Sequence, residues 1–256
     1  MENELFELAV QASLRVPPKD VIGTKSEYRV HGALKYYFQP DDRFHEVKVG
    51  RYLCDAVTED GDGVIEIQTR AFSHLKSKLD VLIKEKKVTV IYPVITEKTV
   101  YVTYEQSGET SVRKSPKKGK MTDIFKELYS LRDYLTDPNL SFRIALLKAD
   151  ELRLYKGSKE GRKAFAKPIS TERIPTELID VIDLFSPTDY LRFIPDGIPE
   201  YFTSQTFARY SGISQTEASY MLKPLTMLGV LNRIGKKGNS YIYEPNDLTR
   251  NASNTK

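Results

Sequence analysis

Three polar side chains stand where two apolar strands are expected. In the stretch RYLCDAVTEDGDGVIEIQT, residues 51–69, they are Asp55, Glu66 and Gln68. Asp60-Gly61 is a two-residue hairpin signal, because a type I′ turn needs positive φ at both central positions. With that turn, residue 59 pairs with 62, Asp55 with Glu66, and Leu53 with Gln68. Alternation along a strand then gathers Asp55, Glu66 and Gln68 on one face. Cys54, Ala56, Ile65 and Ile67 fall on the other, which is wholly apolar. Carboxylates facing each other across a strand pair repel by roughly 0.2–1 kcal/mol, and more where water is excluded. A hard divalent cation, Mg²⁺ or Mn²⁺, removes that repulsion and prefers carboxylate oxygens. Two metal-holding acids and an amide that can donate to water or phosphate suit metal-assisted phosphodiester hydrolysis. The competing reading makes this the solvent face of an amphipathic hairpin. Against it, Leu53, Val57 and Val64 share that face.

The surrounding pattern supplies the elements that would position these groups. Val30, Ala33, Leu34 and Tyr37 recur at helical spacing within 24–38, and Pro40 ends the run. Strands are expected at 45–50, 51–59 and 63–69, then a helix over 71–87 with Phe72, Leu75, Leu79 and Leu82 inward. VTVIYPVI (88–95) is nearly continuous apolar, as in a strand covered on both faces. A strand and a polar loop follow over 96–121, a helix near 122–136, and a strand pair near 141–156. The loop segment RKSPKKGK (113–120) holds five basic residues and no acid. It reads as a solvated loop or as a phosphate contact.

Asp55, ten intervening residues, then Glu66-Ile67-Gln68, set in the order helix, three strands, helix, strand, resembles the PD-(D/E)xK (restriction-endonuclease-like) nuclease superfamily. The resemblance covers roughly residues 22–105. It implies an α/β domain with a mixed sheet flanked by helices. It also implies Mg²⁺ (or Mn²⁺) held by Asp55 and Glu66, and endonucleolytic cleavage of DNA. The third motif residue is usually Lys in that family; here it is Gln68, as in an E-x-Q variant. Lys48, Lys76 and Lys78 are the nearby substitutes. A glutamate on the first helix joins the site in many members, which points to Glu27. Glu27 also stands at capping-box spacing from Thr24, which gives it a purely structural alternative. His31, His45 and His74 lack metal-ligand spacing, and EDGDG lacks the spaced ligands of a calcium loop, so it reads as a turn.

The C-terminal part has its own pattern. Helices over 203–212 and 215–229 flank a tight turn, and 230–244 gives two short strands around a Gly-, Lys- and Asn-rich turn. That is the winged-helix arrangement. Residues 201–243 hold five basic residues and one acid, so this piece matches the whole chain's net charge of +4. Lys223, Arg233, Lys236 and Lys237 are candidates for phosphate contact, and Gln215, Thr216, Ser219 and Tyr220 for base reading. Pro224 is expected to kink the second helix.

The expected organisation is therefore a nuclease-like domain (1–160), a linker (161–184), a small α+β winged helix (185–246) and a tail (247–256). The leading function is a metal-dependent DNA endonuclease, with duplex or branched DNA as partner and a homodimer where both strands are cut. The alternative is a DNA-binding regulator whose nuclease-like domain is inactive. The single cysteine, Cys54, excludes an internal disulfide and a thiolate zinc site, and reads as a small buried apolar residue. The acidic N-terminus does not read as a signal peptide, and no apolar run approaches about 18 residues, so a cytoplasmic protein is expected.

Overall fold

The computed structural model describes residues 2–15, 25–157 and 168–246, with backbone only for 25–27. Helix α1 (Glu2–Arg15) precedes helix α2 (Lys25–Phe38). Strands β1 (His45–Val49), β2 (Tyr52–Val57) and β3 (Gly63–Ile67) follow, then helix α3 (Lys76–Leu82), entered through a 3-10 turn, and strand β4 (Lys87–Tyr104). From α2 onward the order is helix, three strands, helix, strand. Strand β5 (Thr110–Lys114), helix α4 (Ile124–Leu128), β6 (Leu140–Tyr155) and β7 (Ile169–Leu184) come next. Among the described residues seven strands form one sheet, ordered β1-β2-β3-β4-β6-β7 with β5 on β4. The fold is mixed α/β, a large mixed sheet flanked by helices.

Contacts divide the chain into two units. The first is Met1–Thr69, Ile91–Met121 and Ile144–Ile182; the second is Arg70–Val90, Thr122–Arg143 and Asp183–Lys256. In the first unit, Val30, Ala33 and Leu34 of α2 pack with Phe6 of α1 on Ala56, Ile65, Ile67, Ile91, Ala145 and Leu147. The helical stripe and the apolar strand face read from the sequence thus form one core. The helix α1 has no counterpart in the sequence reading; Phe6, Ala9 and Ser13 are its buried residues.

Three expectations change. The strand pair expected near 141–156 is one long strand, β6, in which buried Glu151 meets Lys98, Arg153 and Arg173. Residues 169–184 of the expected linker are strand β7, the sheet partner of β6. The helix expected over 122–136 is the short α4 followed by a 3-10 turn, Tyr129–Leu131. The basic loop is also tied down at its ends. Ser115 N–H donates to Lys98 O and Gly119 N–H to Ile95 O, both at 2.8 Å, so it runs back along β4.

In the second unit, helices α5 (Ser204–Ser211) and α6 (Gln215–Met227) precede a hairpin of β8 (Leu231–Lys237) and β9 (Ser240–Pro245). Thr203 caps α5, and Ser214 with Glu217 forms a capping box on α6. Gly238 takes φ of 60°, the positive value a two-residue hairpin turn needs at its first central position. Helix α6 continues through Pro224, and Leu228 N–H donates to Pro224 O. Among the described residues no helix is long and apolar enough to cross a membrane.

Candidate functional site

The hairpin register read from the sequence is the one found: Ala56 pairs with Ile65 and Val57 with Val64. The turn itself differs. Thr58 N–H donates to Gly63 O at 2.9 Å, which closes a four-residue loop, and Gly61 rather than Asp60 takes the positive φ. Asp60 Oδ1 accepts from Asp62 N–H, so EDGDG is a turn held by its own side chain. Both loop lengths give the same pairing, which is why the register survives the change of turn.

Past Ala56 and Ile65 the two acids enter the hydrogen bonding between the strands. Asp55 N–H donates to Glu66 Oε1 at 3.3 Å, and Ile67 N–H donates to Asp55 Oδ2 at 2.8 Å. Glu66 is 3% exposed, among very few buried charged residues described. Such burial demands partners, and the backbone N–H groups supply part of them. Gln68 is half-buried two residues beyond Glu66, where its own N–H donates to Ile91 O and fixes β3 against β4. Of the apolar residues expected beside the acids, Val57 and Val64 are buried, while Leu53 is 59% exposed. The site therefore opens toward the Leu53 end of β2. Cys54, on the opposite face, is buried.

The sequence reading missed His31. Its Nε2 lies 3.1 Å from Asp55 Oδ2, reaching over from α2. A signal existed: His31 is four residues after Glu27, and positions i and i+4 share one side of a helix. Glu27 lies on α2, but its side chain is outside the described residues, as is Thr24. Of the substitute lysines, Lys48 is exposed and pairs with Leu53 on the edge strand, while Lys76 and Lys78 belong to the second unit. His45 is spent structurally: its Nε2 contacts Gln39 O at 2.7 Å, and burial holds its imidazole below the ordinary value despite that carbonyl.

The donors fit a hard cation in kind: the carboxylates of Asp55 and Glu66 on adjoining strands and the amide oxygen of Gln68 just beyond β3. Among the described residues no group of three or more His, Cys, Asp or Glu side chains is arranged to hold a metal ion. Asp55 and Glu66 could provide at most two ligands, with any others left to Gln68 and solvent.

The nucleic-acid candidates lie in the second unit. A trough of about 1170 Å³ runs between α6 and the β8–β9 hairpin, and Gln215, Ser219, Tyr220, Lys223 and Arg233 line it. Thr216, Lys236 and Lys237 are exposed outside its lining. The residue that the sequence reading missed is Tyr129, whose ring meets Tyr220 edge-on at 5.5 Å.

A family model described as a domain of unknown function (DUF8091) matches residues 28–184. An uncharacterized protein of Treponema pallidum (strain Nichols) is 28% identical over 222 residues, 87% of this chain and 86% of its own. No solved structure matches the chain.

Proposed function

The chain belongs to the DUF8091 family, and we propose that it is a metal-dependent endonuclease of the PD-(D/E)xK type, with a winged helix that binds the DNA. One observation carries this reading. Asp55 and Glu66, on adjacent strands, each hold the other strand's backbone N–H at a level of the sheet where one of them is fully buried. A strand pair gains little from two acids at that level, and a cation explains both. Bound Mg²⁺ or Mn²⁺ would activate water and stabilise the departing oxygen. Asp55 and Glu66 hold it, and His31 fixes the rotamer of Asp55. The Gln68 amide orients water or a phosphate oxygen, a role for which it needs no charge. Glu27 is the auxiliary acid.

A second reading keeps the fold and removes the chemistry: a DNA-binding regulator with an inactive nuclease-like domain. It rests on Gln68 in place of lysine, and on Asp55 Oδ2 already engaged by Ile67 N–H and His31. Cleavage of labelled duplex, branched and single-stranded DNA with Mg²⁺ or Mn²⁺ separates the two. Cleavage that requires the metal and disappears in Asp55→Ala and Glu66→Ala supports the enzyme. Binding without cleavage on every substrate supports the regulator.

A further inference from the structure

We infer that the trough between α6 and the β8–β9 hairpin seats a single strand of nucleic acid rather than a duplex, an inference that rests on the nucleic-acid reading of this unit. A helix that reads a duplex must stand clear of its neighbours, because the major groove is about 12 Å wide and 8.5 Å deep. The polar face of α6 does not stand clear. The Tyr129 ring lies against Tyr220 on one side, and the hairpin rises on the other, so Ser219, Tyr220 and Lys223 form the wall of a concavity.

The lining carries two kinds of surface together. Its cations rest on rings: Lys223 Nζ is 5.4 Å from the Tyr129 centroid, and Arg233 Cζ is 4.4 Å from that of Tyr241. Lys236, just outside the lining, brings its Nζ to 4.7 Å from the same Tyr241 ring. A ring holds a cation in place without neutralising it, so the charge stays available to phosphates. The acid among the lining residues, Glu244, accepts from Asn232 at 3.4 Å. Beside these cations, large apolar side chains face the same space. Ile234 is 48% exposed and Tyr241 39% exposed, and a register shift between Arg233 and Gly235 sets Ile234 outside the ladder. A duplex keeps its base faces stacked inside and offers such a wall only backbone and base edges. A single strand offers phosphates and unstacked bases together, which is what cations interleaved with aromatic and apolar surface bind.

The test is binding of the full chain, in EDTA so that no cleavage intervenes, to a fluorescent oligonucleotide as a single strand and as a duplex of the same sequence. The single strand is expected to bind at least about tenfold tighter. Tyr241→Ala is expected to weaken it by roughly 5- to 150-fold, with Tyr241→Phe close to wild type. Arg233→Ala is expected to lower the slope of log affinity against log salt by about 0.7. Duplex binding as tight as single-strand binding, or indifference to Tyr241→Ala, overturns the single-strand assignment while leaving nucleic-acid binding in place. Absence of binding to either form overturns both.

Discussion

The first unit buries glutamates at two places in its sheet, and their surroundings are opposite. Glu151, on β6, is 2% exposed and sits among Lys98, Arg153 and Arg173. Lys98 Nζ lies 2.5 Å from Oε2, Arg153 Nη2 2.6 Å from Oε1, and Arg173 Nη2 3.1 Å from Oε2. Glu66, equally buried, is held by the backbone N–H of Asp55 and stands beside a second acid. One glutamate is over-neutralised by its own protein. The other meets a strand N–H and a neighbouring acid, Asp55, which His31 contacts in turn. Burial alone therefore does not mark a site; the two places differ in the kind of group that meets the buried carboxylate, side-chain cations at Glu151 and a strand N–H beside a second acid at Glu66.

The largest expected effect follows from Glu151. Glu151→Ala leaves three cations facing one another, and removal of one member of a buried charge cluster costs about 3–5 kcal/mol. Burial alone would raise the Glu151 carboxyl, but hydrogen bonds from Lys98 and Arg153 and the charges of Lys98 and Arg173 outweigh it and bring it down to about 2. A depressed acid stabilises the fold above its unfolded value, and that contribution is lost as pH falls from about 4.5 toward 2. Denaturation midpoints followed over that window should fall steeply in wild type, and Glu151→Gln should flatten the fall. An unchanged acid limb would show that the cations stabilise the sheet without this carboxylate.

Metal should reverse the ranking. Titration with Mn²⁺ is expected to raise the wild-type Tm, by an amount equivalent to about 2.7 kcal/mol at one hundred times Kd. Asp55→Asn with Glu66→Gln should abolish the rise, and Glu151→Gln should keep it in full. A rise that persists without Asp55 and Glu66 places the ion elsewhere and breaks the comparison.

The same contrast explains what was legible in the sequence. The acid pair was legible because it depends on one local feature, a short turn whose pairing fixes Asp55 beside Glu66; the four-residue loop found in place of a two-residue one preserves that register. The Glu151 cluster was not legible, because Lys98 and Arg173 reach it from β4 and β7, far away in sequence. Without those partners, 141–156 reads as a strand pair and 161–184 as a linker. With them, β6 runs straight through Glu151, and β7 becomes the strand that carries Arg173. His31 stayed hidden for a related reason. The pattern of α2 shows which side is apolar, but only the packed helix shows which polar residue at its flank reaches Asp55.

The smallest expected effect on stability is the most informative about the site. His31 and Asp55 are partly exposed, with side chains 32% and 25% accessible, and pairs of that kind contribute about 0.2–1 kcal/mol. His31→Gln keeps a donor of similar reach and should shift the denaturation midpoint little. If His31 fixes Asp55 for metal binding, the same change should lower kcat by about tenfold, the scale of a lost outer hydrogen bond at a metal site, with KM for DNA nearly unchanged. His31→Ala should do so more strongly, and more Mn²⁺ should be needed for half-maximal cleavage. A large stability loss with cleavage intact would make His31 a fastener of α2 to the sheet. Asp55 would then resemble Glu151, an acid whose partners all belong to the fold.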